Sequence, residues 1–484
     1  MKLKDLLQGI PVTSVCADGE QEITGVSYDS RTTAPGDLFV AINGTGADGS
    51  QFIPQALEKG AVCAVCRQKP TVEMPYVAVP SERQALALMA ANHFGHPARE
   101  MQLVGITGTN GKTTTAFLIR HILAQALGTR VGLIGTVENR IGDTILPAER
   151  TTPESWEVQR LLRQMADNGC THAVLEVSSH ALALDRVYGL RFAAAAVTNL
   201  TQDHLDFHGT MERYCAAKGR LLRSCDTAVY NADDPWRDAL LRGSTCRRCG
   251  IGQSAAADLR AEEITLHRDH VSYTAVTPWE RQYVCCPIPG LFSVYNSLTA
   301  LAVCRELGVP LAQCAAALAT ASGAPGRMEV VATPGQSYTV LIDYAHTPDA
   351  LENVLTAVRA FTQGRVIVLF GCGGDRDRTK RPMMGAAAAR LADIAVVTTD
   401  NPRTERPADI IADILPGMTE AAAPPVVIEN RVDAIGWALR HARAGDTVVL
   451  CGKGHETYQE VGGEKRHLDE REVVAEFLRK SDIK

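Results

Sequence analysis

A glycine-rich segment that ends in lysine and threonine is the part of this sequence best suited to hold phosphate. It reads GITGTNGKTTT over residues 105–115. Its start overlaps a short apolar run that includes Val104 and Ile106. Apolar residues then recur at helical spacing as far as Leu127, and the predicted helix ends at Gly128. Between a strand and a helix, backbone N–H groups and the positive helix end hold phosphate oxygens. The segment therefore predicts use of a nucleoside triphosphate.

The loop is a variant of the P-loop, because its glycines stand at positions 105, 108 and 111. Lys112 is predicted to neutralise the terminal phosphates and Thr113 to bind Mg²⁺. The competing interpretation, a glycine-rich turn with a surface lysine, is disfavoured by the flanking strand and helix. The residues predicted to bind ATP in this loop are Gly108, Thr109, Asn110, Gly111, Lys112, Thr113 and Thr114.

Most other polar clusters follow predicted strands, which is where open α/β sheets bind their ligands. Glu176 lies in HAVLEV, and NLTQDHLDFH at 199–208 follows AAAAVTN. Carboxylate and imidazole groups near a triphosphate suggest Mg²⁺ ligands, although any one histidine could be structural. Lys218 lies on a predicted helix, where lysine usually faces solvent. The segments DYAHTPDAL, GCGGDRDRTKRP, TTDNPRTERP and CGKGHE follow four later strands, and none of them alone identifies a ligand.

The elements that must position these residues predict an α/β protein with three domains. Residues 1–90 mix short β-type runs with one helix near 53–60, as in a small α/β domain. From residue 101 strands and helices alternate, which predicts a parallel sheet covered on both faces, like that of a P-loop ATPase.

Further along the chain, residues 255–290 are more β-like, and a helix is predicted from Val294 to Leu307. Four buried-type strands then predict a C-terminal Rossmann-like domain. Gly- or Pro-containing segments at 93–100 and 323–331 are predicted linkers. The predicted domains are 1–95, 99–324 and 327–484.

Composition excludes several classes of protein. The chain has 484 residues, of which 45% are apolar and 21% charged, and its net charge is −6. This charge gives no electrostatic reason to expect nucleic acid or an acidic membrane surface. No stretch approaches the length of a membrane span, and the N-terminus lacks the apolar core of a signal peptide. We expect a cytoplasmic protein and a monomer.

The 14 cysteines include two CxxC pairs, Cys63/Cys66 and Cys246/Cys249. A zinc site built from both pairs would join segments about 180 residues apart, far outside the usual finger spacing. In a reducing cytosol, such cysteines are mostly small apolar residues, so neither zinc nor disulfides are expected.

Taken in order, the motifs resemble those of the Mur ligase family of bacterial peptidoglycan synthesis. The likeness runs from YDSRTTAPGDLFVAI at 28–42 to GKGHETYQ at 452–459. It is strongest to the members that add meso-2,6-diaminopimelate to UDP-N-acetylmuramoyl-L-alanyl-D-glutamate (UDP-MurNAc-L-Ala-D-Glu), using ATP and Mg²⁺. The motifs between these ends are GTNGKTTT, TTPE, EVSSHAL, NLTQDHLDFHG, YCAAK, GLFSVYN, PGRMEVV, DYAHTPDAL, GCGGDRDRTKRP and DNPRTE.

This resemblance implies roles for residues around the triphosphate. Lys112, Glu176, His204 and Lys218 are implied as catalytic, with Thr113, Glu176 and Lys218 holding Mg²⁺. Lys218 matches the family's carbamylated lysine, and an unperturbed lysine has a pKa of about 10.4, so its site must favour the neutral amine. The residues implied to contact adenine, ribose or phosphate from later in the chain are Asn296, Arg327 and Asp343.

The resemblance also implies the residues that hold the two other substrates. Arg403 in DNPR offers a planar, permanently charged fork for the second carboxylate of diaminopimelate, which L-lysine lacks. The implied diaminopimelate contacts are Arg376, Asp400, Asn401, Pro402, Arg403, Gly452 and Glu456. The implied UDP-MurNAc-dipeptide contacts are Ser30, Thr45, Gly46, Ala47, Thr151, Thr152, Ser178 and Arg186. Arg150 and Leu184 depart from the family pattern next to these contacts.

Three alternatives stay open at this point. A folylpolyglutamate synthase shares the ATP-binding core but is not expected to carry YDSR or DNPR. A lysine-adding ligase has the same scaffold with a different amino-acid pocket. A nucleotide-binding regulator without catalysis is disfavoured because Lys112, Glu176, His204 and Lys218 are all retained.

Overall fold

The computed structural model describes residues 1–44 and 48–481 and separates into two compact units. The first unit comprises Met1–Ile251 and Ala302–Val309, and the second comprises Gly252–Leu301 and the chain from Pro310 onward. Thr45, Gly46 and Ala47, implied above as substrate contacts, lie outside the described residues.

The first unit begins with a five-stranded sheet of order β1-β5-β4-β3-β2. Strands β2 to β5 are parallel and β1 is antiparallel to β5. Side chains from the sheet and its helices form a buried core around Leu38, Val65 and Met89 and a second one around Phe39 and Ala64. The elements are α1 (Leu3–Leu6), β1 (Ser14–Cys16), β2 (Gly25–Ser27), β3 (Asp37–Val40), α2 (Ile53–Glu58), β4 (Cys63–Cys66), β5 (Tyr76–Ala78) and α3 (Glu82–His93).

The prediction of a single helix in this region was wrong, because α3 is a three-turn helix that the sequence pattern concealed. Ser81 caps it by accepting the backbone N–H of Gln84 at 3.3 Å. Its buried face uses alanine at several positions together with Leu86 and Met89. Small side chains give a weak apolar period, so the helix is stabilised mainly by its packing on the sheet.

The same unit continues with a larger sheet, in which strands run in the order β13-β12-β11-β6-β10-β7-β8-β9. From β13 to β7 the strands pair in parallel, as predicted, whereas β8 and β9 add an antiparallel hairpin that was not predicted. The strands are β6 (Gln102–Thr107), β7 (Arg130–Ile134), β8 (Glu138–Ile141), β9 (Thr144–Pro147), β10 (Cys170–Glu176), β11 (Phe192–Val197), β12 (Cys225–Asn231) and β13 (Arg247–Gly252).

Helices cover this sheet and bury its central strands, which explains why those strands are apolar throughout. Helix α5, for example, buries Val158, Leu162 and Met165 at helical spacing against the core. The helices are α4 (Lys112–Leu127), α5 (Ser155–Asp167), α6 (Ser179–Ala183), α7 (Leu205–His208), α8 (Met211–Leu222) and α9 (Arg237–Leu240).

Strand register brings the chain segments that follow β6, β10 and β11 to one edge of the sheet. Glu176 pairs with Ile106, and Val197 pairs with Thr107. The loops that begin after these residues must therefore lie side by side.

The second unit contains an antiparallel three-stranded segment and a six-stranded sheet of order β17-β18-β22-β19-β20-β21. The six-stranded sheet is parallel except at β17, and the four predicted strands are all present. The strands are β14 (Leu259–Leu266), β15 (Val271–Val276), β16 (Arg281–Cys286), β17 (Glu329–Val331), β18 (Thr339–Asp343), β19 (Val366–Phe370), β20 (Ile394–Val397), β21 (Val426–Val427), β22 (Thr447–Cys451), β23 (Tyr458–Val461) and β24 (Glu464–His467).

The remaining helices follow and flank these strands, and the core of the six-stranded sheet is built from residues such as Ile342, Leu369 and Leu450. No helix within residues 1–44 and 48–481 is long and apolar enough to cross a membrane. The helices are α10 (Leu291–Glu306), α11 (Leu311–Leu318), α12 (Pro348–Arg359), α13 (Lys380–Leu391), α14 (Pro407–Ile414), α15 (Arg431–His441) and α16 (Glu470–Ser481).

Gly326 in the second unit lies so close to the backbone at Gly454 that it does not tolerate a side chain. A Cβ atom built on Gly326 would lie 2.1 Å from the carbonyl carbon of Gly454 and 2.1 Å from the amide nitrogen of His455. Gly326 also has a φ of +67°, in the left-handed region that favours glycine. This contact fixes the loop after β22 against the segment that precedes β17.

Gly326→Ala is expected to destabilise the protein strongly, by about 2–5 kcal/mol, because overlap with backbone adds to the left-handed strain. Gly335→Ala is the matched control, since Gly335 has a φ of +76° but no atom within 4 Å of an added Cβ. The control should lose only about 1–2 kcal/mol. Urea unfolding of both variants measures the difference, and equal losses would contradict the close packing.

Candidate active site

The predicted phosphate-binding loop joins β6 to α4, as the sequence indicated. Gly108 and Gly111 have φ values of +142° and +84°. A Cβ atom on Gly108 would come within 1.9 Å of the Thr198 hydroxyl oxygen, so this position requires glycine. The Lys112 ammonium donates to the carbonyl oxygens of Gly108 at 3.0 Å and Thr109 at 2.8 Å. The lysine therefore lies over the loop whose phosphates it is predicted to neutralise.

The loop after β11 holds the phosphate-binding loop in shape. The Asn199 side chain accepts the N–H of Asn110 at 3.0 Å and donates to its carbonyl oxygen at 3.1 Å. The Thr198 hydroxyl donates to the same carbonyl at 2.5 Å. Thr109 bonds through its hydroxyl to the Thr201 carbonyl at 3.1 Å. The loop after β11 thus holds both the N–H and the carbonyl group of Asn110.

Glu176 is fully buried at the end of β10 and gathers hydroxyl groups around its carboxylate. Its Oε2 accepts the hydroxyl of Thr113 at 2.8 Å and that of Thr136 at 3.0 Å. Its Oε1 accepts the N–H of Thr136 at 2.9 Å, and the hydroxyl oxygens of Thr136 and Thr151 lie 3.0 Å apart, within hydrogen-bond distance. Carboxylate and hydroxyl oxygens are ligands that suit Mg²⁺, so this donor set fits the predicted ion.

Lys218 is buried inside the unit, with 1% of its surface exposed, rather than on the solvated helix face usual for lysine. Its ammonium group donates to the Gly108 carbonyl at 2.7 Å and lies 4.6 Å from the ring centre of Tyr214. Burial, and secondly the positive charge of Lys112, hold the pKa of Lys218 well below its ordinary value. The site therefore favours a neutral, nucleophilic amine.

His204 lies beside this lysine pocket in a left-handed backbone conformation with a φ of +52°. Its ring centre is 4.8 Å from that of His180 and 6.3 Å from that of Tyr214. Burial lowers the pKa of His180 and of His208, and His208 bonds to the Ser179 hydroxyl at 3.0 Å. His208 is thus a structural histidine, whereas the half-exposed His204 can reach a ligand.

Residues implied to hold the dipeptide substrate gather around Glu176. The Thr152 hydroxyl donates to the Glu176 carbonyl at 2.8 Å and accepts the Ser178 N–H at 3.1 Å. Arg186 donates to the Thr152 carbonyl at 2.9 Å. Ser30 is not part of this group: it is buried in the turn after β2 and donates to Gln55 at 2.6 Å.

A residue that the sequence analysis missed connects the first sheet to this group. Arg83, on α3, donates to the Asn43 carbonyl at 2.9 and 3.1 Å and to Glu154 at 3.2 Å. Glu154 in turn pairs with Arg186 at 2.7 Å. A cleft of about 800 Å³ lies beside this network, and Tyr28 and Arg150 are among the residues that line it.

The three nucleotide contacts implied later in the chain belong to the second unit. Asp343 is buried and accepts the N–H groups of Met328 at 2.8 Å and Ala345 at 2.9 Å. Burial raises its pKa, although the nearby Arg327 guanidinium acts in the opposite direction. Arg327 lies over the Tyr344 ring at 5.1 Å from its centre. Asn296 is buried on α10.

Six of the seven residues implied to bind diaminopimelate line one cavity of about 130 Å³ in the second unit. Pro402, the seventh, is not in the lining, and its carbonyl accepts the N–H of Glu405 at 3.0 Å. The cavity lies at the carboxyl edge of the sheet and also contains Tyr344 and His346. The six residues are Arg376, Asp400, Asn401, Arg403, Gly452 and Glu456.

Arg403 is held in an unusual conformation at this cavity. Its φ is +52°, which is uncommon for any residue other than glycine. The guanidinium donates to the Gly374 carbonyl at 2.7 Å and to the Glu460 carboxylate at 3.1 Å. These bonds fix the plane of the guanidinium at the cavity wall.

Two fully buried arginines that the sequence analysis missed support the same cavity. Arg381 pairs with both Glu405 oxygens at 2.8 and 2.9 Å and, with the N–H of Asp375, lowers the pKa of Glu405 to about 2. Arg431 pairs with Glu470 and donates to the carbonyls of Thr399 at 3.3 Å and Cys451 at 2.7 Å. Thr399 and Cys451 immediately precede Asp400 and Gly452 in the chain. Arg431 therefore holds the segment after β20 and the end of β22 in place.

Comparison with known proteins identifies the family. Domain profiles described as "Mur ligase family, catalytic domain", "Mur ligase middle domain" and "Mur ligase, glutamate ligase domain" match residues 22–103, 106–304 and 326–454. The chain is 42% identical over 486 residues to the UDP-N-acetylmuramoyl-L-alanyl-D-glutamate–2,6-diaminopimelate ligase of Clostridium botulinum, covering 99% of this chain and 100% of that protein. The chain belongs to the Mur ligase family.

Other relatives of this Mur ligase agree. It is 44% identical to the protein of the same name from Geobacillus thermodenitrificans, with 98% of each chain covered. A solved structure of a UDP-N-acetylmuramoyl-L-alanyl-D-glutamate–2,6-diaminopimelate ligase superimposes with a TM-score of 0.73 at 30% identity, covering 100% of this chain and 99% of that one. The predicted family and the three-domain α/β fold class are confirmed. The roles of individual residues stay predictions.

Lys218→Met is expected to make this Mur ligase more stable at pH 7.5 in CO₂-free, Mg²⁺-free buffer, by on the order of 1 kcal/mol, because a buried amine is removed. The Gly108 carbonyl keeps Lys112 as a donor. The folded-state pKa of Lys218 is lowered, so between the folded and unfolded pKa values the unfolded chain binds more protons than the folded chain does. The free energy of unfolding of the unmodified protein should therefore rise with pH. The difference in this free energy between Lys218→Met and the unmodified protein, the stability gap, should narrow toward pH 10. Chemical unfolding across this range tests it; a gap that widens with pH would contradict the assignment.

Proposed function

We propose that this Mur ligase adds meso-2,6-diaminopimelate to the γ-carboxylate of the D-glutamate in UDP-MurNAc-L-Ala-D-Glu, with conversion of ATP to ADP and phosphate. The observation that carries the proposal is the cavity of the second unit, which is lined by the arginines Arg376 and Arg403 and by the carboxylates of Asp400 and Glu456. Relatives named for this reaction, at 42% and 44% identity over almost the whole chain, support it. The reaction would serve peptidoglycan precursor synthesis in a bacterial cytoplasm.

The chemistry requires that a carboxylate be activated, because a carboxylate is a poor electrophile. A γ-carboxylate oxygen attacks the γ-phosphorus of ATP, the bond to the β-phosphate oxygen breaks, and ADP leaves. The diaminopimelate amine then attacks the acyl carbon, loses a proton, and phosphate departs from the tetrahedral intermediate. Lys112 and the first turn of α4 suit the first step, since they present positive charge where the polyanions meet.

Thr113 and Glu176 are the residues that would hold Mg²⁺, together with Lys218 after its carbamylation, and His204 would lie beside them. Bound Mg²⁺ supplies charge neutralisation between the triphosphate and the substrate carboxylate. Carbamylation joins the neutral Lys218 amine to the carbon of CO₂ with loss of a proton, which converts the neutral amine into an anionic, carboxylate-like group. The buried environment and the low pKa of Lys218 support this step.

Selectivity for diaminopimelate would come from its second carboxylate. The Arg403 guanidinium is fixed by Gly374 and Glu460 and offers a planar fork that matches a carboxylate. Asp400, Asn401 and Glu456 would meet the distal amine and carboxylate, and Arg376 the remaining carboxylate. L-Lysine would leave Arg403 facing an ammonium group, and discrimination of about 10³-fold is the order of magnitude expected for such a mismatch.

One experiment separates the proposal from the alternatives. The protein is offered ATP, Mg²⁺, UDP-MurNAc-L-Ala-D-Glu and an equimolar mixture of diaminopimelate, L-lysine and L-glutamate, and the products are identified by mass spectrometry. Diaminopimelate should be added almost exclusively. Comparable addition of L-lysine would overturn the specificity, and ATP binding without any product would favour a regulator.

Arg403→Ala should lower kcat/KM for diaminopimelate by about 10²- to 10³-fold, because the distal carboxylate loses its bidentate partner. The KM values for ATP and the dipeptide substrate should stay within about twofold, since neither ligand is assigned to this cavity. Arg390→Ala is the matched control, because that exposed arginine pairs with Glu352 on the neighbouring helix at 2.9 Å, away from the cavity lining. Steady-state kinetics measure all three constants, and an equal loss in the control would argue against a role for Arg403.

Carbamylation of Lys218 has its own signature. With ¹³C-bicarbonate the unmodified protein should show a carbamate carbon resonance that is absent from Lys218→Met, and the variant should lose nearly all turnover. Added bicarbonate should not rescue it, because no amine remains. A carbamate resonance that persists in the variant, or turnover close to that of the unmodified protein, would remove Lys218 from the proposed site.

A further inference from the structure

Lys453 is a fully buried lysine in the loop that follows β22, beneath the cavity assigned to diaminopimelate. Its ammonium donates to Oδ1 of Asn401 at 2.8 Å and to Oε2 of Glu456 at 2.8 Å. It also lies 3.6 Å from Oδ1 of Asp400, a buried oxygen that accepts no hydrogen bond from the described residues. A buried ammonium requires such partners, so these three side chains and Lys453 form one connected group.

The contacts of Lys453 fix which atom of Asn401 faces a ligand. Oδ1 of Asn401 accepts from Lys453 and also from the backbone N–H of Glu460 at 2.9 Å. Both of these partners can only donate, so the amide oxygen must point toward them and the amide nitrogen must point away. One N–H of that nitrogen reaches Oε2 of Glu456 at 2.9 Å. The other N–H is the group that Asn401 can offer to a carboxylate in the cavity.

Glu456 is oriented by the same lysine. Its Oε2 accepts from both Lys453 and Asn401, which leaves Oε1 as the oxygen suited to a ligand ammonium. The ammonium of Lys453 offsets only one of the two carboxylates beside it, those of Asp400 and Glu456. This group therefore keeps one negative charge, while Arg403 at the cavity wall is paired with Glu460.

We infer that Lys453 is a positioning residue that sets the selectivity of this cavity for an α-amino-acid centre, with its ammonium and carboxylate together. It acts through Asn401 and Glu456, whose donor and acceptor it aims into the cavity. Without it, the Asn401 amide oxygen loses one of the two donors that fix its orientation, and the carboxylates of Asp400 and Glu456 repel each other. The inference rests on the proposed function, in which that centre is the distal end of meso-diaminopimelate.

The test compares Lys453→Met with the unmodified full-length protein, using diaminopimelate and 2-aminopimelate, which keeps the distal carboxylate but lacks the distal amine. The KM for diaminopimelate should rise by about 10- to 100-fold, as expected when hydrogen bonds to charged groups are lost. The kcat and the KM values for ATP and the dipeptide substrate should change by no more than about threefold. The preference for diaminopimelate over 2-aminopimelate should largely disappear, whereas general loosening would lower both activities together.

Arg365→Met is the matched control, because it breaks a bidentate contact with the buried Asp446 near the opposite ends of β19 and β22. It should leave the preference between the two amino acids unchanged. Lys453→Gln, which keeps a donor but no charge, replaces the methionine variant if thermal unfolding shows that the latter does not fold.

The outcomes distinguish the inference from the function on which it rests. If the unmodified protein adds diaminopimelate but Lys453→Met, or its glutamine substitute, keeps the same KM and the same preference, the inference alone is overturned. If the unmodified protein does not add diaminopimelate, the proposed function is overturned and the inference falls with it.

Discussion

Parallel strand pairing is the constraint on which the candidate sites depend. In the first unit, pairing of β6 with β10 and β11 places Glu176 beside the phosphate-binding loop, and the contact with Thr113 follows. In the second unit, pairing of β18 with β22 sets Asp343 opposite Cys451. Because these strands are apolar on both faces, a shift in register would expose core residues as well as misplace the polar ones.

Buried basic side chains have two different roles in this protein. Arg431 and Lys453 lie among carboxylate and carbonyl oxygens and fix loops in place. Lys218 donates instead to one backbone carbonyl and has Lys112 nearby, so its environment favours loss of the proton. The distinction lies in what surrounds each nitrogen: opposite charge makes a buried cation structural, whereas burial with like charge makes an amine reactive.

Local sequence signals predicted much of the fold and the phosphate-binding loop, because the strand, loop and helix around Lys112 are each coded by neighbours in the chain. Most of the other candidate residues were implied by the family resemblance. The burial of Lys218 was beyond such signals, since it depends on a contact with Gly108, 110 residues away. Helix α3 was missed because alanines blur its apolar face. Arg83 and Arg431 were missed for a related reason: each owes its place to partners on distant segments, and an isolated arginine carries no such information.

The left-handed backbone at Arg403 limits which residues can replace it if the cavity evolves to bind a different amino-acid ligand. β-Branched side chains are strained at such a φ, and glycine, which is not, has no side chain to bind a ligand. The guanidinium is also shared with the Gly374 carbonyl and with Glu460 on the β23–β24 hairpin. A lineage that exchanged this residue alone would pass through an intermediate with strain or unmet polar groups. Divergence in substrate choice is therefore expected to proceed by replacement of whole loops, with the sheet beneath them retained.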